Sequence, residues 1–97
     1  MKLKFIHPSE QELIDAYQFY EEQLTGLGNQ FINEFNNTIK VILNHPTLWK
    51  KVGEKTRRAL IKRFSYLILY IYKEETIHIT CIAHQHRNPS YYVERLT

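Results

Sequence analysis

The run His84-Gln85-His86-Arg87, with Tyr91 close behind it, gathers the side-chain types that metal-free cleavage of RNA requires. Such a reaction needs a base for the 2′-hydroxyl proton, an acid for the leaving oxygen and a cation against the phosphate. Histidine titrates near neutrality and serves as acid or base, Arg grips phosphate in bidentate fashion, and Tyr stacks on an exposed base. The same residues also read as ordinary polar side chains at the end of a strand. His84 and His86 form an H-x-H pair, a spacing that two metal ligands can use. No acid or second Cys stands near them to complete a site, so neither a metal nor a cofactor is expected.

A second set is basic. Arg57, Arg58, Lys62 and Arg63 fall in a stretch that alternates like a strand. Their cations suit a nucleic-acid backbone or the acidic tail of a protein partner, and they equally suit a solvated edge strand, where Lys and Arg deter unwanted pairing. A third set is aromatic: Tyr66, Tyr70 and Tyr72, with His78, Thr80 and His84, share one side of the sheet if alternation is unbroken, and they read as a contact surface. Tyr91 and Tyr92 either stack on bases or dock the last segment onto the sheet.

The elements that must position these residues can be read from periodicity. Lys2 to His7 alternates and Pro8 stops it, which predicts a short strand. Ser9-Glu10-Gln11-Glu12 reads as a capping box that opens a helix. Leu13, Tyr17, Tyr20 and Leu24 form its apolar stripe, and Thr25-Gly26-Leu27-Gly28 supplies a turn. A second helix carries Phe31, Phe35, Ile39 and Ile42, flanked by Ile32 and Leu43, until Asn44-His45-Pro46 ends it. The two helices should form an antiparallel hairpin. Residues 46 to 56 lack a period and read as a loop pinned by Trp49. Arg57 to Arg63, Ser65 to Tyr72 and Thr76 to His84 read as a meander of three antiparallel strands. Leu67, Leu69, Ile71, Ile77, Ile79, Cys81 and Ala83 are expected to face the helices.

Composition bounds the class. Ninety-seven residues, 43% of them hydrophobic and 24% charged, make one domain over residues 1–97 and argue against disorder. The net charge of +3 is mild, but acids gather early (Glu10, Glu12, Asp15, Glu21, Glu22) and bases later, so one end should be basic. Cys81 is alone, which excludes an internal disulfide and fits a reducing compartment; within an apolar strand it reads as core. With no signal-peptide stretch after Met1 and no run of membrane-spanning length, the expected location is the cytoplasm, away from membranes.

The predicted order is α+β: a strand, a helical hairpin packed on one face of a mainly antiparallel sheet, a three-strand meander and a short last segment. It resembles the RelE/ParE superfamily of toxins over nearly the whole chain. Arg63-Phe64-Ser65-Tyr66-Leu67-Ile68-Leu69-Tyr70 is similar to that superfamily's basic-Phe-Pro-Tyr-apolar strand. Ile82-Ala83-His84-Gln85-His86-Arg87-Asn88-Pro89-Ser90-Tyr91-Tyr92 resembles the ending of the ParE branch. The resemblance implies the toxin of a type II toxin-antitoxin pair, neutralised by a cognate antitoxin through which alone it meets DNA. RelE-type members cut messenger RNA on the ribosome, whereas characterised ParE-type members poison DNA gyrase. RelE-like nucleases carry an Arg just after the strand Tyr; here that position is Leu67, which favours the gyrase branch. The other readings are a ribosome-dependent endoribonuclease built on His84, His86, Arg87 and Tyr91, and a non-toxic co-repressor that binds only its antitoxin.

Overall fold

The computed structural model describes all 97 residues. In chain order they form β1 (Lys2–Phe5), α1 (Ser9–Gln23), α2 (Leu27–Asn44), β2 (Thr56–Leu60), β3 (Tyr66–Lys73) and β4 (Thr76–His84), then two 3-10 turns, Pro89–Tyr91 and Val93–Arg95. No helix is long and apolar enough to cross a membrane.

The helical hairpin forms for the reasons its sequence suggests. Phe31, Phe35, Ile39 and Ile42 recur at spacings of three and four and are all buried, so α2 drives one continuous stripe into the core. Gly26 sits at φ 92°, a left-handed value that Gly adopts at no steric cost, and it turns the chain between the helices. The Glu21 carboxylate accepts the backbone N–H groups of Gly26 (3.0 Å) and Gly28 (3.0 Å), which satisfies free donors at the start of α2. Gly28 lies inside α2 against α1: a Cβ there would come within 2.8 Å of the Tyr17 ring and carbonyl. The glycine thus permits the close approach of the two helices.

The start of α1 departs from expectation. Pro8 holds the N-cap position without a side-chain cap. The Ser9 hydroxyl donates to the Ile79 carbonyl at 2.9 Å, and Glu12 turns away from its own helix toward β4. Both residues are buried. The apparent capping box therefore spends its polar groups on tertiary contacts, which local spacing alone cannot reveal.

The sheet has the order β1-β4-β3-β2, with β1 parallel to β4 and the remaining pairs antiparallel. β4 has the bounds that alternation predicts. β2 is shorter than expected, because Arg63 adopts φ 72° and the chain turns after Leu60, so Lys62 and Arg63 lie outside the strand.

The faces of the meander need correction. Ile68, Tyr70, Ile77, Ile79 and Ile82 pack under the helices with Ala59, Ile61 and Phe64. Leu67, Leu69, Cys81 and Ala83 form a separate cluster on the other face, covered by Val52, Tyr91, Tyr92 and Leu96. Two causes operate. The last nine residues fold back over the sheet, so both faces are apolar and alternation does not say which one meets the helices. In addition, the register slips between Leu69 and Tyr70: Leu69 pairs with Cys81 and Tyr70 with Ile79, leaving Thr80 as an extra residue in β4. This bulge reverses the side to which later residues point, which places Ile79 and Ile82 on one face and Cys81 on the other.

Candidate functional site

The residues at the end of β4 do come together. Asn88 accepts the Ser90 N–H (3.0 Å), and Pro89 begins the first 3-10 turn, which brings Tyr91 back beside the strand it follows. A cleft of about 220 Å³ opens there, walled by Asp15 and Phe19 of α1, Tyr66 of β3, and His84, Arg87 and Tyr91. Beside it lies an open hollow that His86, Asn88 and Ser90 border along with the same His84, Arg87 and Tyr91. Lys62 and Arg63 lie in the turn that leads into β3, at the end of the sheet where Ser65 accepts the Gln85 N–H (2.7 Å). That end is basic.

Their hydrogen bonds limit what these groups can do. His84 Nδ1 accepts the backbone N–H of His86 at 3.1 Å, so a neutral His84 carries its proton on Nε2. In that tautomer the free nitrogen is a hydrogen-bond donor, suited to anchoring an anion and unsuited to serve as a base. The ring stands edge-on to Tyr66 (5.4 Å) and 5.3 Å from the His86 ring. No group of three or more His, Cys, Asp or Glu is placed to hold a metal ion. The Arg87 guanidinium lies 3.7 Å from the centre of the Tyr91 ring and that of Arg95 4.9 Å, so cations already lie against this aromatic surface.

Beneath the cleft is a polar tie in which two members, Glu12 and Arg95, carry no functional role in the sequence reading. Glu12 accepts the Ile82 N–H (3.0 Å), Arg95 Nη1 (3.0 Å) and the Tyr91 hydroxyl. Arg95 also donates to the Thr80 carbonyl (3.0 Å), the bulged residue of β4. A buried carboxylate needs such partners to remain in the protein. The hydrogen bond to Glu12, reinforced by burial, pushes the Tyr91 hydroxyl above its ordinary pKa and keeps it a donor. The only sequence signal for this tie is an acid on the first turn of α1 and an Arg near the chain end, too common to stand out.

The other singled-out residues scatter. Tyr70 is wholly buried under the helices, donates to the Pro46 carbonyl (2.8 Å), and has its hydroxyl pushed up to about 12 by burial. It has no contact surface to offer, contrary to expectation. Tyr66 and Tyr72 are half-buried against the helix-side core, so the anticipated tyrosine face does not exist. Arg57 Nη1 donates to the carbonyls of Thr47 (3.1 Å) and Trp49 (2.7 Å), which makes it the clamp of the loop before β2. Arg58 and Lys62 are exposed. Arg63 donates to Gln30 (2.9 Å) and lies 3.5 Å from Glu34. Tyr91 and Tyr92 pack on the Leu67 cluster and dock the last segment. Cys81 is core, its thiol pushed up to about 12 chiefly by burial.

Comparison with known proteins decides the family. A family model described as ParE toxin of type II toxin-antitoxin system, parDE, matches residues 3–89, which include Glu12, Leu67 and His84 to Arg87. The chain belongs to this family. Among solved structures, it is similar to the chromosomal ParDE TA system of P. aeruginosa, with 15% identity, a TM-score of 0.74, and 87% of this chain and 95% of that one covered. It is also similar to the isolated RelE toxin of E. coli, with 15% identity, a TM-score of 0.67, and 97% and 96% covered. At these identities the likeness is one of fold, and it places the ParE chain in the RelE/ParE architecture. No curated protein sequence matches.

Proposed function

We propose that this ParE-family chain is a toxin that binds and inhibits DNA gyrase and is neutralised by a cognate antitoxin. The observation that carries the choice of target is the setting of Leu67. It is 2% exposed and sealed under the last segment with Leu69, Cys81 and Ala83. A phosphate-facing Arg, which the RelE-like nucleases place there, has neither room nor water at this position, and an unpaired buried cation is costly. The hydrogen bonding of His84 and Tyr91 supports the same reading, since His84 commits to the fold the nitrogen that a base would need for proton transfer and Tyr91 is tied to Glu12 instead of standing free to stack on a base. The basic end formed by Lys62, Arg63 and Arg87 suits an acidic protein surface.

One observation favours the ribonuclease reading: His84, His86, Arg87 and Tyr91 border one hollow. Replacing His84 and His86 together by Gln separates the two. Each catalytic proton-transfer group is worth about 10²–10⁴-fold, so a nuclease loses its toxicity in cells. A gyrase binder stays toxic, and co-expression of the cognate antitoxin restores growth in both cases. Loss of toxicity in a folded double variant that still binds the antitoxin contradicts the gyrase reading.

A further inference from the structure

Away from the histidine end, a cleft of about 210 Å³ lies between α2 and the outer edge of β2. Asn37, Thr38 and Val41 form one wall, and Trp49, Leu60 and Lys62 form the other, with Glu34 at the rim. Of these residues only Lys62, at the margin of the basic end, also belongs to the site described above.

Three independent features point to a missing occupant. Trp49 Nε1 is the one buried side-chain nitrogen or oxygen in the protein without a hydrogen-bond partner. Leaving such a donor unsatisfied costs about 1–3 kcal/mol, and native proteins keep few of them. Next, the backbone edge of β2 is open at Leu60. Val52 and Lys50 pair with Thr56 and Arg58 from outside, and Ile61 pairs inward with Tyr66, so alternation turns the Leu60 N–H and carbonyl outward beyond the last of these contacts. Lastly, the edge is cationic. Arg58 and Lys62 have no carboxylate within 4.0 Å, while Glu34, the one acid at the cleft, is already engaged by Arg63 at 3.5 Å. Val41 and Leu60, 38% and 37% exposed, add an aliphatic surface.

We propose that this cleft binds an acidic, aliphatic segment of the neutralising partner in extended conformation. A carboxylate of that segment meets Lys62, a carbonyl oxygen accepts the Trp49 N–H, the strand edge at Leu60 supplies a backbone pairing, and an aliphatic side chain covers Val41. A second copy of the chain fits poorly, because a two-fold contact would set Arg58 and Lys62 against like charge. RNA offers oxygens but nothing aliphatic for Val41. That the segment comes from an antitoxin rests on the function proposed above; the chemistry of the cleft does not.

Trp49 is the sole Trp, so its indole N–H gives one resonance and its emission reports the cleft. The full chain is titrated with a short blocked peptide of alternating aspartate and leucine, and with versions in which asparagine or lysine replaces aspartate. The expected result is a saturable downfield move of the indole resonance with the acidic peptide. Binding should be about tenfold weaker for the neutral peptide and for Lys62→Glu, which corresponds to one lost contact of about 1.4 kcal/mol. Val41→Arg, which fills the cleft from an exposed position, should abolish it with the melting temperature preserved. An indole resonance that stays still at millimolar acidic peptide overturns the proposal, as does one that moves equally for the lysine peptide, for a single-stranded oligoribonucleotide or in Val41→Arg. A small protein encoded in a reading frame adjacent to this chain's, taken as the candidate antitoxin, separates the two claims. If it fails to bind the wild type, the antitoxin reading falls and the peptide result stands; if it binds wild type and Val41→Arg alike, the cleft proposal falls and the antitoxin reading stands.

Discussion

Glu12 is the residue on which the last segment most depends, and replacing it by Ala gives a loss that can be worked from its contacts. The carboxylate is 7% exposed and accepts three hydrogen bonds. Removing it strands the Ile82 N–H in the interior, at about 1–3 kcal/mol. Arg95, 21% exposed at its side chain, can turn toward water and retains the Thr80 carbonyl, so its share is smaller, about 1 kcal/mol. The Tyr91 hydroxyl loses a charged acceptor, worth about 1.5–3 kcal/mol where it is not replaced by water. The sum is about 3.5–7 kcal/mol, a large share of the 5–15 kcal/mol by which domains are stable. Glu12→Gln keeps an acceptor for Ile82 and should lose less, about 1–3 kcal/mol. Urea unfolding followed by circular dichroism measures both, and amide exchange of Ile82 and of residues 89–97 shows whether the segment detaches. A loss below about 0.5 kcal/mol for Glu12→Ala, with residues 89–97 still protected, would refute the view that this tie holds the segment down.

Leu69→Ala, at a wholly buried position under the last segment, should cost about 2–5 kcal/mol by chemical unfolding, and Tyr92 should gain exposure on that face. Gly28→Ala should destabilise by about 1–3 kcal/mol despite improved helix propensity, because the new methyl meets Tyr17 at 2.8 Å; a raised melting temperature would contradict the close crossing. Stability should fall at high pH. Tyr70 has a folded pKa near 12 against an ordinary 10, so the folded state holds its proton more tightly. That contribution is complete below pH 10 and is lost as pH rises toward 12, by roughly 3 kcal/mol. Unfolding free energies in a Cys81→Ala background should show this slope, and Tyr70→Phe should reduce it, leaving the smaller part that the other raised tyrosines, Tyr20, Tyr66 and Tyr91, contribute.

Much of the fold was legible because its signals are local. The stripe of α2 and the alternation of Thr76 to His84 each follow from one period, and both elements stand where the period puts them. What stayed hidden depended on distant contacts. Ser9 and Glu12 mimic a capping box, yet their partners lie on β4 and near the chain end, some 70 to 83 residues away. The bulge at Thr80 has no residue-type signal, since neither Gly nor Pro marks it. Tyr70 was misassigned because a Tyr beside three aliphatic residues on an apolar strand reads as the polar side, whereas its hydroxyl reaches out of the core to Pro46. For the site, the gathering of His84, His86, Arg87 and Tyr91 was visible, being nearly contiguous in sequence. The hydrogen bonds that restrict them were not.

The central claim is best tested by giving the purified chain two substrates side by side: relaxed plasmid with gyrase, and ribosomes translating a defined messenger RNA. Inhibition of supercoiling at a concentration that leaves the messenger intact, reversed by stoichiometric antitoxin, is the predicted result. Site-specific cuts in the messenger with supercoiling unaffected would contradict it.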